Sequence, residues 1–170
     1  MSTTPYIKKR DFSICDTVSV CATTNRECVE QIFDLPVEPV SATIDLVGVP
    51  AVISASESAE IKEMYSKATM AIIDGMPIVK RGRKLGFECD RCAAPDIMGP
   101  IFEESVKRNK THYFYGGKDD EVLVKLRENL EKAYPGIQIL GMYSPPFRPL
   151  TDEEDAVICK EINELKPDFL

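Results

Sequence analysis

The chain lacks the residues and motifs that mark several large enzyme classes. His112 is the only histidine among 170 residues and no GxSxG motif occurs, which argues strongly against a Ser-His-Asp hydrolase. Neither a Walker motif nor a GxGxxG motif is present, so the common phosphate-binding fingerprints do not apply. Histidines and carboxylates do not cluster at metal-ligand spacing, and we therefore predict no metal site.

Positive charge and long apolar runs are also scarce. The 21 Lys and Arg against 28 Asp and Glu give a net charge of −7, which argues against a nucleic-acid partner and favours a small molecule. No apolar run reaches the about 18 residues of a membrane span, and the polar start does not resemble a secretory leader, so we expect a soluble, cytoplasmic protein. Six cysteines are scattered, and the Cys89/Cys92 pair has no second pair to match it. We interpret the cysteines as reduced and structural.

Strand-like and helical segments alternate along the chain, whose length suits one domain. Predicted strands cover Asp16–Ala22, Val40–Val47, the run that ends at Asp74, His112–Tyr115 and Ile137–Met142, and a further strand begins at Asp168. Predicted helices follow the capping boxes at Thr24 and Thr151 and cover Ala59–Ala68, Ile97–Lys107 and Asp119–Ala133, whereas VKRGRKLG (79–86) is predicted as a basic connection. This order predicts an α/β sandwich with a mainly parallel sheet covered by helices on both faces.

Asp74 is the first catalytic candidate. It follows the apolar run MAII, and the carboxyl end of a buried parallel strand is where open α/β sheets place their ligands. Gly75 allows a sharp turn, and Pro77 suits the start of a helix whose positive end would lie near the carboxylate. The alternative is that Asp74 is only a turn or cap residue, since Asp-Gly is a common turn dipeptide.

Two later loops also carry candidate ligands. Gly116, Gly117 and Lys118 follow a strand and precede a helix, an arrangement that suits a diphosphate, although glycine turns of this kind also occur for steric reasons. In GMYSPPFRPLT, three prolines stiffen a segment with Tyr143, Phe147 and Arg148, which suits a nucleobase or sugar with a phosphate. The alternative for this loop is a rigid surface connection. We expect Asp74, Gly116 and Tyr143 at one edge of the sheet.

Several segments, in this order and spacing, resemble the WecG/TagA/CpsF family of bacterial glycosyltransferases. They are IIDGMPIVKRGRKLG, DRCAAPDIMGPIFEES, HYFYGG, YPGIQILGMYSPPFRPLTDEED and INELKPDFL. The resemblance implies a Rossmann-like fold and an inverting transfer, without an essential metal or cofactor, from a UDP-sugar to a polyprenyl-diphosphate-linked sugar. The product would serve cell-surface polysaccharide or teichoic acid biosynthesis. It also implies a homo-oligomer attached peripherally to the inner face of the plasma membrane.

The resemblance assigns roles to individual residues. Asp74 matches the proposed catalytic base of the family, while Arg91, Asp96, Gly116, Gly117 and Tyr143 match residues around the substrates. The family continues past this point with a strand, a Pro/Gln/Glu motif and a basic tail. We therefore expect residues 1–170 to form a single glycosyltransferase-like domain that lacks those parts. The alternatives are a non-catalytic nucleotide-sugar-binding module, an inactive shortened homologue, or a structural partner of a full-length homologue.

Overall fold

Short strands alternate with helices along residues 11–35 and 41–170, which this computed structural model describes. The chain divides between Pro100 and Ile101 into two compact units. The first contains β1 (Asp11–Ile14), β2 (Val18–Cys21), α1 (Asn25–Phe33), β3 (Ile44–Val47), α2 (Val49–Glu57), α3 (Ala59–Lys67), β4 (Met70–Ile73) and α4 (Met76–Lys84). Helix α5 (Ala94–Arg108) runs across the boundary, and β5 (Thr111–Tyr115), α6 (Asp120–Ala133), β6 (Gln138–Tyr143) and α7 (Asp152–Leu165) follow.

Strand β4 is an inner strand of the sheet in the first unit. The strand order is β1-β2-β4-β3, with β4 parallel to both neighbours and β1 antiparallel to β2. All four residues of β4 are buried; Ala71 and Ile73 belong to the main core cluster, and Met70 and Ile72 alternate with them toward the other face. This burial on both faces explains the unbroken apolar run in the sequence.

Helix α4 corrects one sequence prediction. Residues 79–86 were expected to form a basic connection, but Met76–Lys84 is helical, with Ile78 and Val79 in the core. A Cβ on Gly82 would lie 2.8 Å from both the Cys89 sulfur and the Phe12 ring. Gly82 therefore lets the helix backbone approach the core closely.

Two further elements were missed in the first unit. Strand β1 forms a hairpin with β2, and Cys15 and Asp16 in its turn have positive φ without any glycine to signal the turn. Residues 49–57, for which the sequence predicted no helix, form α2, with Pro50 in its first turn. The strand predicted over Val40–Val47 covers Ile44–Val47, and Val40 lies outside the described residues.

The second unit has its own parallel pair. Strands β5 and β6 are parallel. A strand was expected to begin at Asp168, and there Phe169 forms an isolated parallel bridge with His112. Phe102, Leu130 and Ile137 form the centre of its core. Both predicted capping boxes, at Thr24 and at Thr151, are confirmed.

The protein is therefore mixed α/β, and three of the four pairings between the described strands are parallel. Hydrogen bonding places the described strands in two sheets, one in each unit, where the sequence predicted one sheet. Of the helices in the described ranges, none has the length and apolar character needed to cross a membrane.

Candidate active site

The carboxyl ends of β3 and β4 lie side by side in the first unit. The backbone N–H of Asp74 donates to Val47 O at 2.9 Å, which holds the two strand ends in register. Each strand is followed by a glycine N-cap and then by a helix with a proline in its first turn. A Cβ on Gly75 would lie 3.7 Å from the Cα of Gly48, so the two turns touch through their glycines.

The N-termini of α2 and α4 therefore open at the same sheet edge. Neither Gly48 nor Gly75 provides a side-chain cap, so N–H groups of both first turns have no capping acceptor from those positions. Asp74 immediately precedes Gly75, is exposed, and makes no side-chain hydrogen bond or ion pair with any described residue. Two positive helix ends at one sheet edge attract anionic ligands.

The segment between α4 and α5 crosses the ends of β2 and β4. The N–H of Asp90 donates to Thr23 O at 3.0 Å, and the N–H of Cys92 donates to Ile73 O at 2.7 Å. Thr23 follows β2, and Ile73 is the last residue of β4. Arg91 is therefore held between two backbone hydrogen bonds at the strand ends, and one of them adjoins Asp74.

Side chains fix this crossing segment. Arg83 of α4 donates from Nε to Cys89 O at 3.0 Å and from its Nη2 to Asp90 Oδ1 at 3.1 Å. The other oxygen of Asp90 accepts from the N–H of Asn25, the first residue of α1, at 3.3 Å. These bonds connect α4, the crossing segment and α1, and they make Arg83 a structural residue.

Buried cysteines pack beneath the same segment. The Cys92 sulfur lies 3.8 Å from Thr23 O, and a hydrogen bond with Cys92, together with burial, raises the pKa of the Cys28 thiol. In the described part of the chain no cysteine forms a disulfide. Cys21, Cys28, Cys89 and Cys92 are buried, as a structural role requires, whereas Cys15 and Cys159 are exposed.

Arg91 and Asp96 form an ion pair at this edge. Arg91 donates from Nη2 and from Nε to Asp96 Oδ2 at 3.0 and 3.3 Å, and the two side chains are 46% and 33% exposed. An ion pair this exposed contributes little to stability, about 0–1 kcal/mol, so an anionic ligand can compete for the guanidinium. The first unit thus brings Asp74 and Arg91 close in the fold and attaches Asp96 to Arg91.

In the second unit, the glycine turn lies at the ends of β5 and β6. Gly116 and Gly117 have φ of +134° and +111°, and the N–H of Gly116 donates to Tyr143 O at 2.9 Å. A Cβ on Gly117 would lie 3.0 Å from Leu123, whereas the space beside Gly116 is open. The hydroxyl of Ser144, which the sequence did not suggest, donates to Gly117 O at 3.3 Å.

The other predicted ligands of this unit occupy different environments. The Tyr115 and Tyr143 rings lie 5.7 Å apart, Lys118 lies 4.0 Å from Asp119, and Phe147 is 91% exposed. Arg148 binds both carboxylate oxygens of Glu154, each at 2.7 Å, and this contact lowers the pKa of Glu154 to about 2. Among the residues of this unit that were predicted to bind substrate, Arg148 is therefore the one whose charge is most fully neutralised, by the Glu154 carboxylate.

Sequence reasoning did not identify Gly48 as part of the site. The signal was present, since Gly48-Val-Pro50 and Gly75-Met-Pro77 repeat one G-x-P pattern after a strand. The pattern places a flexible residue at the N-cap and proline in the first turn, which together suit a strand-to-helix turn.

Comparison with known proteins assigns the chain to a family. Comparison with curated proteins gave no significant match. The model of the glycosyl transferase WecG/TagA/CpsF family matches residues 13–170, which include both units of the fold. The chain belongs to the WecG/TagA/CpsF family of glycosyltransferases.

Proposed function

We propose that this protein transfers a sugar from a UDP-sugar to a polyprenyl-diphosphate-linked sugar, with inversion at the anomeric carbon and without a divalent metal. The transfer would take place at the inner face of the plasma membrane, in cell-surface polysaccharide or teichoic acid biosynthesis. The observation that carries this proposal is the exposed Asp74 carboxylate at the carboxyl end of β4, which has no partner among the described residues and lies next to the segment that holds Arg91.

Asp74 is proposed as the general base. An acceptor hydroxyl attacks the anomeric carbon, its proton passes to the Asp74 carboxylate, and the bond from the anomeric carbon to the UDP oxygen breaks. The bonding electrons leave with UDP, so the nucleotide gains negative charge in the transition state. A carboxylate without a competing partner among the described residues is suited to accept the proton.

Cations and backbone amides are proposed to stabilise the departing UDP. In the first unit, Arg91 is the candidate cation, held in place by backbone bonds on either side and by Asp96. In the second unit, we propose that Gly116, Gly117 and Lys118 contact the diphosphate. Tyr143, Phe147 and Arg148 of that unit are proposed to contact the rest of the donor.

The base assignment is tested by Asp74→Asn. The amide keeps the shape of the side chain but cannot accept the proton, so we expect kcat to fall by about 10² or more while UDP affinity and Tm change little. Turnover would be measured with UDP-N-acetylhexosamines, UDP-glucose and UDP-uronic acids, and UDP binding by calorimetry.

A matched control is Asp16→Asn in the β1–β2 turn. Asp16 is also exposed, but it precedes β2 and so lies toward the opposite end of the parallel strands. This variant is expected to keep kcat. A near wild-type kcat for Asp74→Asn would remove Asp74 from the mechanism, and UDP binding without any transfer in the wild type would favour a nucleotide-sugar-binding module.

A further inference from the structure

Helix α4 exposes a face that the catalytic proposal does not use. Two neighbouring stripes at four-residue spacing form it, and we call it the basic face: Met76, Lys80 and Lys84 beside Pro77, Arg81 and Leu85. All six residues are exposed, and the two large apolar side chains at its ends, Met76 and Leu85, are 46% and 45% exposed. The opposite side of the helix is buried in the core of the first unit.

The charge of this face is not matched by neighbouring acids. Lys80, Arg81 and Lys84 make no ion pair with any described residue, whereas Arg83 on the same helix is bound by Asp90. No acidic residue occurs from 75 to 87, although the chain as a whole has a net charge of −7. An acidic protein with a local cluster of unmatched cations has a surface that attracts anions.

The helix dipole accounts for only part of this pattern. Arg81 and Lys84 lie in the last turn of α4, where cations stabilise a helix end. Lys80 lies before that turn, and the dipole does not explain why large apolar side chains stand exposed at both ends of the cationic stripe. Exposed cations together with exposed apolar side chains are typical of helices that lie on anionic lipid.

The position of α4 relative to Asp74 is fixed. The N-cap of the helix is Gly75, next to Asp74, and the close approach at Gly82 leaves little freedom for α4 to move away from the core. Nine residues of helix extend about 13 Å, so every cation of the basic face lies within a short distance of the carboxyl end of β4.

We propose that the basic face of α4 docks on the surface of an anionic bilayer and holds Asp74 at the level of the lipid headgroups. This inference rests on the proposed function, because a polyprenyl-diphosphate acceptor presents its sugar at that level. The cations attract the anionic headgroups, and Met76 and Leu85 contact the boundary between headgroups and acyl chains.

Vesicle binding tests the proposal. The wild-type protein would be sedimented with vesicles of phosphatidylcholine containing phosphatidylglycerol, and with vesicles of phosphatidylcholine alone, at low and high salt. We expect binding only to the anionic vesicles, weakened by salt. In a variant with Lys80→Gln, Arg81→Gln and Lys84→Gln, binding is expected to fall by about 10²-fold, since each cation near an anionic surface contributes a factor of about five.

A control variant removes the same charge elsewhere. Lys125, Lys132 and Lys166 are exposed and make no ion pair with the described residues, so Lys125→Gln, Lys132→Gln and Lys166→Gln together change the net charge equally. This variant is expected to keep most of the vesicle binding. Circular dichroism and Tm would verify that both variants fold.

The possible results distinguish a failure of the membrane-docking proposal from a failure of the proposed function. Equal vesicle binding by the α4 variant and the control variant would overturn the proposal. It would also be overturned if the α4 variant lost affinity only for inorganic diphosphate, or only for single-stranded RNA, and kept its vesicle binding. If the α4 variant alone loses vesicle binding, the surface is supported even when no UDP-sugar supports transfer, a result that would count against the proposed function instead.

Discussion

The fold places two charged side chains that the sequence predicted as site residues, Asp74 and Arg148, in different environments. The Asp74 carboxylate has no partner among the described residues, and the strand, glycine and proline around it account for its position. Arg148 is bound at both ends of its guanidinium by one carboxylate. A free charge at a strand end is available for chemistry, whereas a matched charge must first be released.

His112 should make the stability of the protein depend on pH. It is 3% exposed, its Nε2 has no hydrogen-bond partner among the described residues, and burial lowers its pKa below the ordinary value near 6.5, partly opposed by Asp168. As pH falls through about 6.5, the unfolded chain takes up a proton that the folded chain resists. Stability should therefore fall, by up to about 1.4 kcal/mol per pH unit.

A comparison of Tm between pH 7.5 and 5.0 tests this prediction. His112→Phe keeps an aromatic ring against Phe102 and Phe169 and removes the titrating group, so its Tm should fall less over this range. The pKa values of Glu154 and Asp168 are lowered in the folded protein. These two carboxylates therefore lose their contribution to folding stability only below about pH 4.5, outside this range. If Tm changes equally with pH in the wild type and in His112→Phe, the protonation of His112 does not contribute to the pH dependence of stability.

At the scale of single elements, local signals were predictable and contacts distant in sequence were not. The capping boxes at Thr24 and Thr151 and the apolar run of β4 lie within a few residues, and the sequence predicted all three correctly. The start of α4 at Pro77 was expected, but residues 79–84 were predicted as a connection. The packing of Gly82 against Phe12 and Cys89 involves residues outside the helix, so no local pattern shows it.

For the candidate site too, features set by a local pattern were predictable and features set by distant contacts were not. Asp74 was found because a strand pattern ends there. The hydrogen bond from Cys92 to Ile73, which brings Arg91 to the same edge, joins residues that no local pattern relates. The resemblance to a family supplied Arg91 and Asp96, and the residues alone did not.

The loop before α7 offers a test of the role of Arg148. If Arg148 binds the donor diphosphate, its pair with Glu154 competes with the ligand, and Glu154→Gln should strengthen UDP binding by up to about fivefold. The same variant should lower Tm slightly, since the glutamine cannot bind the guanidinium through two charged oxygens. Calorimetric titration with UDP measures the first effect, and thermal unfolding measures the second.

Two control variants complete this test. Glu153→Gln removes a charge from the neighbouring exposed position, which makes no hydrogen bond or ion pair with Arg148 in the described structure, and should leave UDP binding unchanged. Combining Glu154→Gln with Arg148→Gln should abolish the gain. If Glu154→Gln lowers Tm without any gain in UDP affinity, the pair is structural and Arg148 is not a donor ligand.

At the scale of the whole molecule, both units repeat one construction. A parallel strand ends, a glycine follows, and a helix begins within a few residues, at β3, β4 and β5 alike. Turns of this kind leave helix N-termini at the carboxyl edge of a sheet, which is where anionic ligands bind in parallel α/β proteins. The two units therefore each contain a candidate anion-binding edge.

The outer edge of β6 provides the last prediction, which concerns self-association. Among the described strands, β6 pairs only with β5, so one side of Gln138–Tyr143 presents backbone groups without a strand partner, apart from Ile139 O, which accepts from Arg127. An exposed strand edge with an apolar side chain such as Leu140, 38% exposed, is a template for pairing with a second copy. We therefore expect the protein to self-associate as its concentration rises.

Light scattering across low to high micromolar concentrations would measure this association for the wild type and for Leu140→Lys. A lysine on an edge strand disfavours pairing, because two copies would bring like charges and long side chains together in the new sheet. Val124→Lys is the matched control, since Val124 is 57% exposed and lies on helix α6, not on a strand. A wild-type mass that stays monomeric at every concentration would contradict the prediction, whereas equal association of both lysine variants would place the interface elsewhere on the surface.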